Sequence, residues 1–261
     1  MTTQLLGDIA YEVSGSGPLV VCIPGMADLR SSYRFLAPEL VAAGYRVAIV
    51  DLRGHGDSTA ESGFDNGANA TDVAALVTHL GEPAVIVGNS MGAAIGVLVA
   101  ADHPELVAGL VLIGPFVRNG RVPAVMRVLM RVLTSRPLVA AVWNQYLPSL
   151  YAGRTPADFA DYRAAVVAAT KRHAAAGSAT MTTSHDDAEA ALPRVHTPVL
   201  VVMGELDPDF GSPRDEAAWI VEQLGGSMVM IPDAGHYPHS QRADLVAPAV
   251  TSFLSAAAHR A

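Results

Sequence analysis

A serine between two glycines is the residue of this chain best suited to act as a nucleophile. Ser90 lies in Gly88-Asn89-Ser90-Met91-Gly92, after the apolar run 84–87 and before a helical pattern that begins at Met91. A tight turn from strand to helix leaves little room for Cβ atoms, so small residues are needed on both sides of the nucleophile. The start of a helix also offers unpaired N–H groups to a developing anion. The pattern predicts that Ser90 is a catalytic nucleophile.

A serine needs a base to remove its proton, and the base needs a carboxylate to orient it. His236 lies in Asp233-Ala234-Gly235-His236-Tyr237, just after the apolar run 228–231, in a loop whose glycine suits the approach of an imidazole. Asp207 lies in Gly204-Glu205-Leu206-Asp207-Pro208, directly after the apolar run 199–203. We therefore predict that Ser90, Asp207 and His236 form a catalytic triad.

Neighbouring residues leave alternatives for the acid and the base. Asp209 would replace Asp207 after a small shift of the loop, and Glu205 is also near. His239 is an alternative base, although it lacks the preceding glycine of His236. The other histidines are scattered and show no metal-ligand spacing, so we expect neither a metal nor a cofactor.

Short β-rich runs alternate with longer helical patterns along most of the chain. This alternation predicts an α/β fold in which helices cover both faces of a mostly parallel, twisted sheet. The predicted strands cover 9–13, 19–23, 46–50, 84–88, 110–113, 199–203 and 228–231. The predicted crossover helices cover 33–43, 70–80, 91–101, 215–224 and 245–257.

Strand-like runs disappear between residues 116 and 194, where helical patterns take over. We expect 116–194 to be a helical cap (lid) inserted into a core made of 1–115 and 195–261, with helices over 122–133, 138–147, 156–176 and 184–191. Residues 116–176 carry nine basic and two acidic side chains. Such a cap would attract an anionic substrate or an acidic carrier protein. The simpler interpretation is an exposed, arginine-bearing helix surface.

Composition excludes several classes of protein. The chain has 261 residues, a mass of 27.1 kDa and a formal net charge of −8, which argues against nonspecific nucleic-acid binding. The single cysteine, Cys22, excludes an internal disulfide and points to a reducing cytoplasm. The first residues lack the features of a signal peptide, and no apolar run reaches the roughly 20 residues of a membrane span. We expect neither export nor stable membrane insertion.

Together these features resemble the α/β-hydrolase superfamily, and the resemblance covers nearly the whole chain. Besides the elbow, acid and histidine, Asp51-Leu52-Arg53-Gly54-His55-Gly56-Asp57-Ser58 looks like the family's turn after an early strand, which is usually structural. The family builds its oxyanion hole from two backbone N–H groups, and the resemblance implies those of Met91 and Met26. Pro24-Gly25-Met26 stands where many relatives have His-Gly-x.

The resemblance implies a serine esterase, with an ester or lactone of a small or medium apolar acyl group as leading substrate. The elbow also resembles hydrolases that cleave carbon–carbon bonds in ring-fission products, although Tyr237 stands where those relatives commonly have tryptophan. A thioesterase, an interfacial lipase and a slow-turnover ligand sensor are further alternatives. Serine at position 90 argues against epoxide hydrolase chemistry, because those relatives use aspartate. The candidate acyl-pocket residues are Met126, Met130, Trp143, Tyr146, Tyr151, Met181 and Tyr237. The simpler interpretation is that those in the cap form its apolar core.

Overall fold

The computed structural model describes residues 2–120 and 124–258, apart from the side chains of Ala124, Met126, Arg127 and Ala258. Within these ranges the chain forms one sheet of eight strands in the order β1-β2-β4-β3-β5-β6-β7-β8. The strands are β1 (Gln4–Leu6), β2 (Ile9–Ser14), β3 (Leu19–Ile23), β4 (Arg46–Val50), β5 (Ala84–Asn89), β6 (Val107–Ile113), β7 (Val199–Gly204) and β8 (Ser227–Ile231).

Six neighbouring strands of the sheet are parallel, from β4 through β3, β5, β6 and β7 to β8. At one edge of the sheet, β1 is antiparallel to β2, and β2 is antiparallel to β4. The central strands β3, β5 and β7 are buried at every position and consist largely of valine, isoleucine and leucine. A parallel strand covered on both faces needs such a continuous apolar run, which explains why alternating polarity is missing here.

Helices cover both faces of the sheet. One apolar cluster joins the helices over 66–80, 91–102 and 213–224 to the first face, and a second joins those over 36–42 and 243–258 to the other. These core helices are α1 (Leu36–Ala42), α2 (Asn66–Leu80), α3 (Met91–Asp102), α9 (Pro213–Leu224), α10 (Pro238–Gln241) and α11 (Ala243–Ala258). The fold class predicted from the sequence is confirmed.

Local signals fix where the helices begin and end. Asp65 caps α2, since its carboxylate accepts a hydrogen bond from the N–H of Ala68 at 2.9 Å. Gly81 ends the same helix with a φ of 87°, a left-handed conformation that favours glycine. Helix α2 therefore begins four residues before the run predicted from periodicity, because the cap lies outside the apolar pattern.

Between β6 and β7 the chain forms a helical segment, residues 124–194. Its helices are α4 (Ala124–Leu133), α5 (Val139–Leu150), α6 (Phe159–Arg172), α7 (Ala174–Thr180) and α8 (Asp186–Ala191). The single helix predicted over 156–176 is wrong, because the chain leaves the helical conformation at His173, with φ −108° and ψ 42°. Helix α4 exposes much of its apolar surface, including Val125, Val128 and Val132.

Several functional loops leave the same edge of the sheet. The carboxyl ends of β3, β5, β6, β7 and β8 all point one way because these strands are parallel. The loops and turns that follow these strands contain Met26, Ser90, Phe116, Asp207 and His236. Open α/β sheets bind their ligands at this edge. Among the described residues, no helix has the length and hydropathy required to cross a bilayer.

Candidate active site

Ser90 lies on a strained turn between β5 and α3. Its φ of 56° and ψ of −120° are unusual for a residue other than glycine, and its side chain is almost fully buried. The turn fits only because its flanks are glycines: a Cβ on Gly92 would lie 2.3 Å from the carbonyl oxygen of Ile23. The strand-to-helix elbow expected from the sequence is present, with Ser90 at its apex.

Asp207 and His236 form a buried hydrogen-bonded pair. The Nδ1 of His236 lies 2.8 Å from Oδ2 of Asp207, and both side chains are almost inaccessible to solvent. The other carboxylate oxygen of Asp207 accepts the N–H of Asp209 at 3.1 Å. Gly114 leaves room for the imidazole, since a Cβ there would lie 3.1 Å from Nδ1. With Nδ1–H donated to Asp207, Nε2 of His236 is the free base.

Asn89 ties the nucleophile turn to the histidine loop. Its Nδ2 donates to the carbonyl oxygens of Ile113, at 3.0 Å, and of His236, at 3.2 Å. The residue directly before Ser90 therefore holds the backbone of His236. This role of Asn89 was not predicted from the sequence, although the residue is visible in the elbow.

Three carboxylates act on the imidazole of His236. Burial alone would lower the pKa of His236, but the charges of Asp207, Asp209 and Asp28 outweigh it and raise that pKa above its ordinary value. Asp209 Oδ2 lies 3.7 Å from Nδ1, against 2.8 Å for Asp207 Oδ2. Of the two aspartates weighed as the acid, Asp207 is the one within hydrogen-bonding distance.

The loop after β3 lies directly against Ser90. A Cβ on Gly25 would lie 3.0 Å from the Cβ of Ser90, so the loop that leads to Met26 passes directly beside Ser90. Ala27 has a φ of 49°, and its N–H donates to Nε2 of His55 at 3.1 Å. Burial lowers the pKa of His55 to about 4, so its ring is neutral and accepts this bond at neutral pH. The turn that contains His55 thus supports the loop of Met26.

Asp28 is a second buried carboxyl near the site, and the sequence analysis did not single it out. Its Oδ1 accepts hydrogen bonds from the N–H of Leu29, at 2.7 Å, and from the hydroxyl of Tyr162 in α6. Among the described residues its Oδ2 has no hydrogen-bond partner. Burial raises the pKa of Asp28 to about 6, although these hydrogen bonds and Arg34 oppose the rise. Asp28 links the loop of Met26 to the helical segment.

The candidate pocket residues fall into two groups. Met130 and Met181 line a cleft of about 560 Å³ together with Met26, Phe116 and Arg131. The other aromatic candidates are packed in an apolar cluster between the helical segment and the core, namely Trp143, Tyr151 and Tyr237. Tyr146 is half exposed and donates its hydroxyl to Asp209. The side chain of Met126 lies outside the described residues.

Two further cavities border the core. One of about 400 Å³ is lined by Phe116, Asp209 and Phe210, next to His236. The other, of about 540 Å³, lies between the core and α6 and is lined by charged residues such as Glu12, Asp51 and Arg172. The first adjoins His236 through Phe116, whose ring centroid is 5.7 Å from that of His236.

Ligand atoms of Asp207, Asp209 and His236 lie within 4.8 Å of one another, the spacing of a metal site. However, Nδ1 of His236 is already hydrogen-bonded to Asp207. A cation at this point would have to break that bond, so the arrangement suits a proton relay better than a metal centre.

A buried histidine outside the proposed triad gives a testable dependence of stability on pH. His239 packs on the ring of Tyr33 with centroids 4.6 Å apart, and its ring nitrogens have no hydrogen-bond partner among the described residues. Burial, aided by the charges of His236 and Arg34, lowers the pKa of His239 to about 3. In the unfolded chain His239 takes up a proton near pH 6.5, whereas in the folded protein it stays neutral there. The free energy of unfolding therefore decreases as pH falls below 6.5.

We expect wild type to lose about 2 kcal/mol more free energy of unfolding between pH 7 and pH 5 than His239→Leu does. Urea denaturation at the two pH values measures the difference, and contributions of other groups cancel in the comparison. His103→Gln, at an exposed position, is the control and should follow wild type. An equal loss in wild type and His239→Leu would contradict the burial argument.

Comparisons with known proteins identify the family of this chain. The sequence profile of the alpha/beta hydrolase family matches residues 20–249. A 2-(acetamidomethylene)succinate hydrolase from Mesorhizobium japonicum is 30% identical over an alignment that covers 96% of this chain and 94% of that protein. Epoxide hydrolase B from Mycobacterium tuberculosis is 36% identical over 109 residues, which cover 40% of this chain and 31% of that protein.

Such shorter matches span only 31–41% of the length of the curated relatives concerned. Among solved structures, a thermophilic esterase from Thermogutta terrifontis is 26% identical, with a TM-score of 0.82 over 95% of this chain and 93% of that one. The match to the family profile spans most of the chain and includes the loops that carry Ser90, Asp207 and His236. The chain therefore belongs to the α/β-hydrolase family of enzymes.

Proposed function

We propose that this chain is a serine esterase that cleaves an ester or lactone of a small-to-medium apolar acyl group through a covalent acyl-enzyme. Ser90 is the nucleophile, His236 the general base and Asp207 the residue that orients it. The observation that carries the proposal is the buried 2.8 Å hydrogen bond between His236 and Asp207, tied through Asn89 to the turn that presents Ser90.

In the first half of the reaction, Nε2 of His236 takes the proton of the Ser90 hydroxyl while Oγ attacks the substrate carbonyl carbon. Negative charge then develops on the carbonyl oxygen. The N–H groups of Met26 and Met91 bind this oxyanion, and the N-terminus of α3 adds a favourable dipole. His236 next gives its proton to the leaving alkoxide, which departs as an alcohol and leaves the acyl group on Ser90.

In the second half, His236 takes a proton from water, and the resulting hydroxide attacks the acyl carbon. The tetrahedral intermediate collapses when its bond to Ser90 Oγ breaks, and His236 returns the proton to the serine. The products are a carboxylic acid and free enzyme. Asp207 keeps the Nδ1–H tautomer in both halves, so Nε2 is available each time.

We also propose that residues 116–194 act as a cap over the site. Contacts between the helical segment and the catalytic loops support this role: the carbonyl of Leu150 accepts the N–H of His236 at 2.8 Å, and Arg34 binds Asp158 at 2.6 Å. The cleft lined by Met130 and Met181 would take the acyl group, since flexible methionines adapt to varied chains.

An anionic group on the substrate or on a carrier protein is a proposed extension of this specificity. Arg131 lines the cleft, is exposed, and has no acidic partner among the described residues. The Mesorhizobium relative is named for a succinate derivative, which is also anionic. We further propose a cytoplasmic location, supported by the single, buried Cys22.

Initial rates on p-nitrophenyl esters from acetate to decanoate, with the hemisuccinate as an anionic member, test the function. We expect turnover with an optimum at an intermediate chain length, because the cleft has a finite volume of about 560 Å³. Ser90→Ala, assayed in parallel, measures the background of nonspecific hydrolysis.

Negligible turnover by folded wild type on every ester would contradict the esterase proposal. In that case the same protein should be tested on thioesters and vinylogous diketones, the substrates of the alternative chemistries. A hemisuccinate that is a poorer substrate than butyrate would contradict the proposed role of Arg131.

A further inference from the structure

We propose that Asp209, held in place by Tyr146 of helix α5, is a positioning residue that sets the charge around His236 and thereby the pH range in which the base is active. This inference rests on the proposed function, because it concerns the histidine assigned there as the base. It assigns Asp209 a role different from that of Asp207, although only Pro208 separates the two residues in the sequence.

The geometry separates the two aspartates. Asp207 Oδ2 lies within hydrogen-bonding distance of His236 Nδ1, at 2.8 Å, whereas Asp209 Oδ2 lies 3.7 Å from the same atom. Asp209 thus contributes charge and not a hydrogen bond to the imidazole. Its own N–H donates to Asp207 Oδ1 at 3.1 Å, so the loop fixes both carboxylates at one end of the ring.

Helix α5 holds the second carboxylate. The hydroxyl of Tyr146 donates to Asp209 Oδ1, which leaves Oδ2 on the side of His236. Four residues later along the same helix, the carbonyl of Leu150 accepts the N–H of His236. Helix α5 therefore contacts both His236 and Asp209. The position of this helix determines the distance between the Asp209 carboxylate and the His236 imidazole.

The other groups described around His236 are either fully buried or uncharged, unlike the partly exposed carboxylate of Asp209. Asp28, from the loop after β3, also raises the pKa of His236, but it is fully buried and bound to Tyr162. Of the titratable rings nearby, burial lowers the pKa of His239 to about 3 and raises that of Tyr237 well above its usual range, so both are neutral at working pH. Phe116 and Phe210 supply the remaining aromatic contacts. Asp209 is half-buried, with 14% of its side chain exposed, and the hydroxyl of Tyr146 holds its carboxylate beside the imidazole.

The pH profile of kcat/KM tests the proposal. A base must be unprotonated to act, so the acid limb of the profile follows the pKa of His236 in the free enzyme. Asp209→Asn keeps the shape of the side chain and removes its charge. We expect its acid limb to lie about one pH unit lower than that of wild type, with a plateau within several-fold.

Tyr146→Phe tests the contribution of helix α5. Without the hydroxyl, the carboxylate of Asp209 turns toward solvent, and the acid limb moves in the same direction by a smaller amount. Adding Tyr146→Phe to Asp209→Asn should produce no further shift, because the hydroxyl acts through that carboxylate. Glu205→Gln removes one negative charge from an exposed position of the same loop and is the matched control. Its profile should coincide with that of wild type.

Three results would overturn the proposal in whole or in part. An acid limb of Asp209→Asn that coincides with that of wild type would mean that the second carboxylate does not act on His236. A loss of turnover at every pH, as large as that of Asp207→Asn, would make Asp209 the orienting acid itself. If Tyr146→Phe still shifted the acid limb by its full amount in the Asp209→Asn background, the hydroxyl of Tyr146 would not act through Asp209. Helix α5 would then have no part in setting the charge around His236.

An NMR titration of the His236 imidazole in wild type and Asp209→Asn keeps this inference separate from the proposed function. The titration midpoint should fall in the variant whether or not the protein hydrolyses esters. A lower midpoint without any turnover would support the role of Asp209 and reject the esterase. Ser90-dependent turnover with an unchanged midpoint would support the esterase and reject the role of Asp209.

Discussion

Ser90→Ala is expected to reduce kcat/KM for ester hydrolysis by about 10⁴- to 10⁶-fold, a loss of roughly 5–8 kcal/mol in transition-state stabilisation. The physical reason is that Oγ forms the covalent bond to the acyl carbon, and no neighbouring hydroxyl can replace it at the apex of the turn. The side-chain change is small, since alanine keeps the Cβ and loses only a buried hydroxyl. Initial rates on the best p-nitrophenyl ester measure the effect.

Thermal denaturation of the variant is the control for this result. Ser90 already has a φ of 56°, and alanine meets the same backbone strain, so the midpoint of unfolding should stay near that of wild type. A folded Ser90→Ala protein that keeps half of the wild-type rate would remove Ser90 from the mechanism.

Asp207→Asn is expected to lower kcat by on the order of 10⁴-fold, the magnitude known for the acid of other serine triads. The amide of asparagine can present an N–H toward Nδ1 of His236. The imidazole then carries its proton on Nε2, where it cannot accept the proton of Ser90. Burial strengthens the effect. The carboxylate of Asp207 lies 2.8 Å from Nδ1 of His236, and water cannot enter to replace it as the hydrogen-bond acceptor.

Asp209→Asn provides the comparison in the same loop. Above its acid limb it should keep a rate within several-fold of wild type, because the hydrogen bond between Asp207 and His236 is intact. Steady-state rates of both variants, measured on the plateau, decide which carboxylate orients the base. A severe loss in Asp209→Asn beside a nearly normal Asp207→Asn would exchange the two assignments.

The sequence predicted the fold well where the signals are local. The buried strands β3 and β4 were located to the residue, since continuous runs of valine and isoleucine have sharp ends. Strand β1 was missed, because the three residues Gln4–Leu6 are too few to display alternation and gain their order from pairing with β2. Helices α6 and α7 were predicted as one, since neither glycine nor proline marks the break at His173.

The site was less predictable where a role depends on distant packing. Ser90 and His236 follow apolar runs on glycine-bearing turns, which are visible in the sequence. Asp28, by contrast, is defined by its bond to Tyr162, 134 residues away, and nothing around it in the sequence indicates burial. Trp143 and Tyr151 were weighed both as pocket residues and as cap core, and only the structure shows that they pack into an apolar cluster. The spacing of apolar residues shows which face of a helix is buried, but not which element packs against that face.

The most direct measurement of the central claim is covalent labelling by a fluorophosphonate, followed by peptide mass mapping. The reagent forms a bond from phosphorus to an activated serine Oγ and releases fluoride, so it reports the nucleophile without requiring knowledge of the natural substrate. We predict one adduct per chain, on the peptide that contains Ser90, and none in Ser90→Ala. A folded wild-type protein that stays unlabelled, or that is labelled on another residue, would contradict the assignment of Ser90 as the nucleophile.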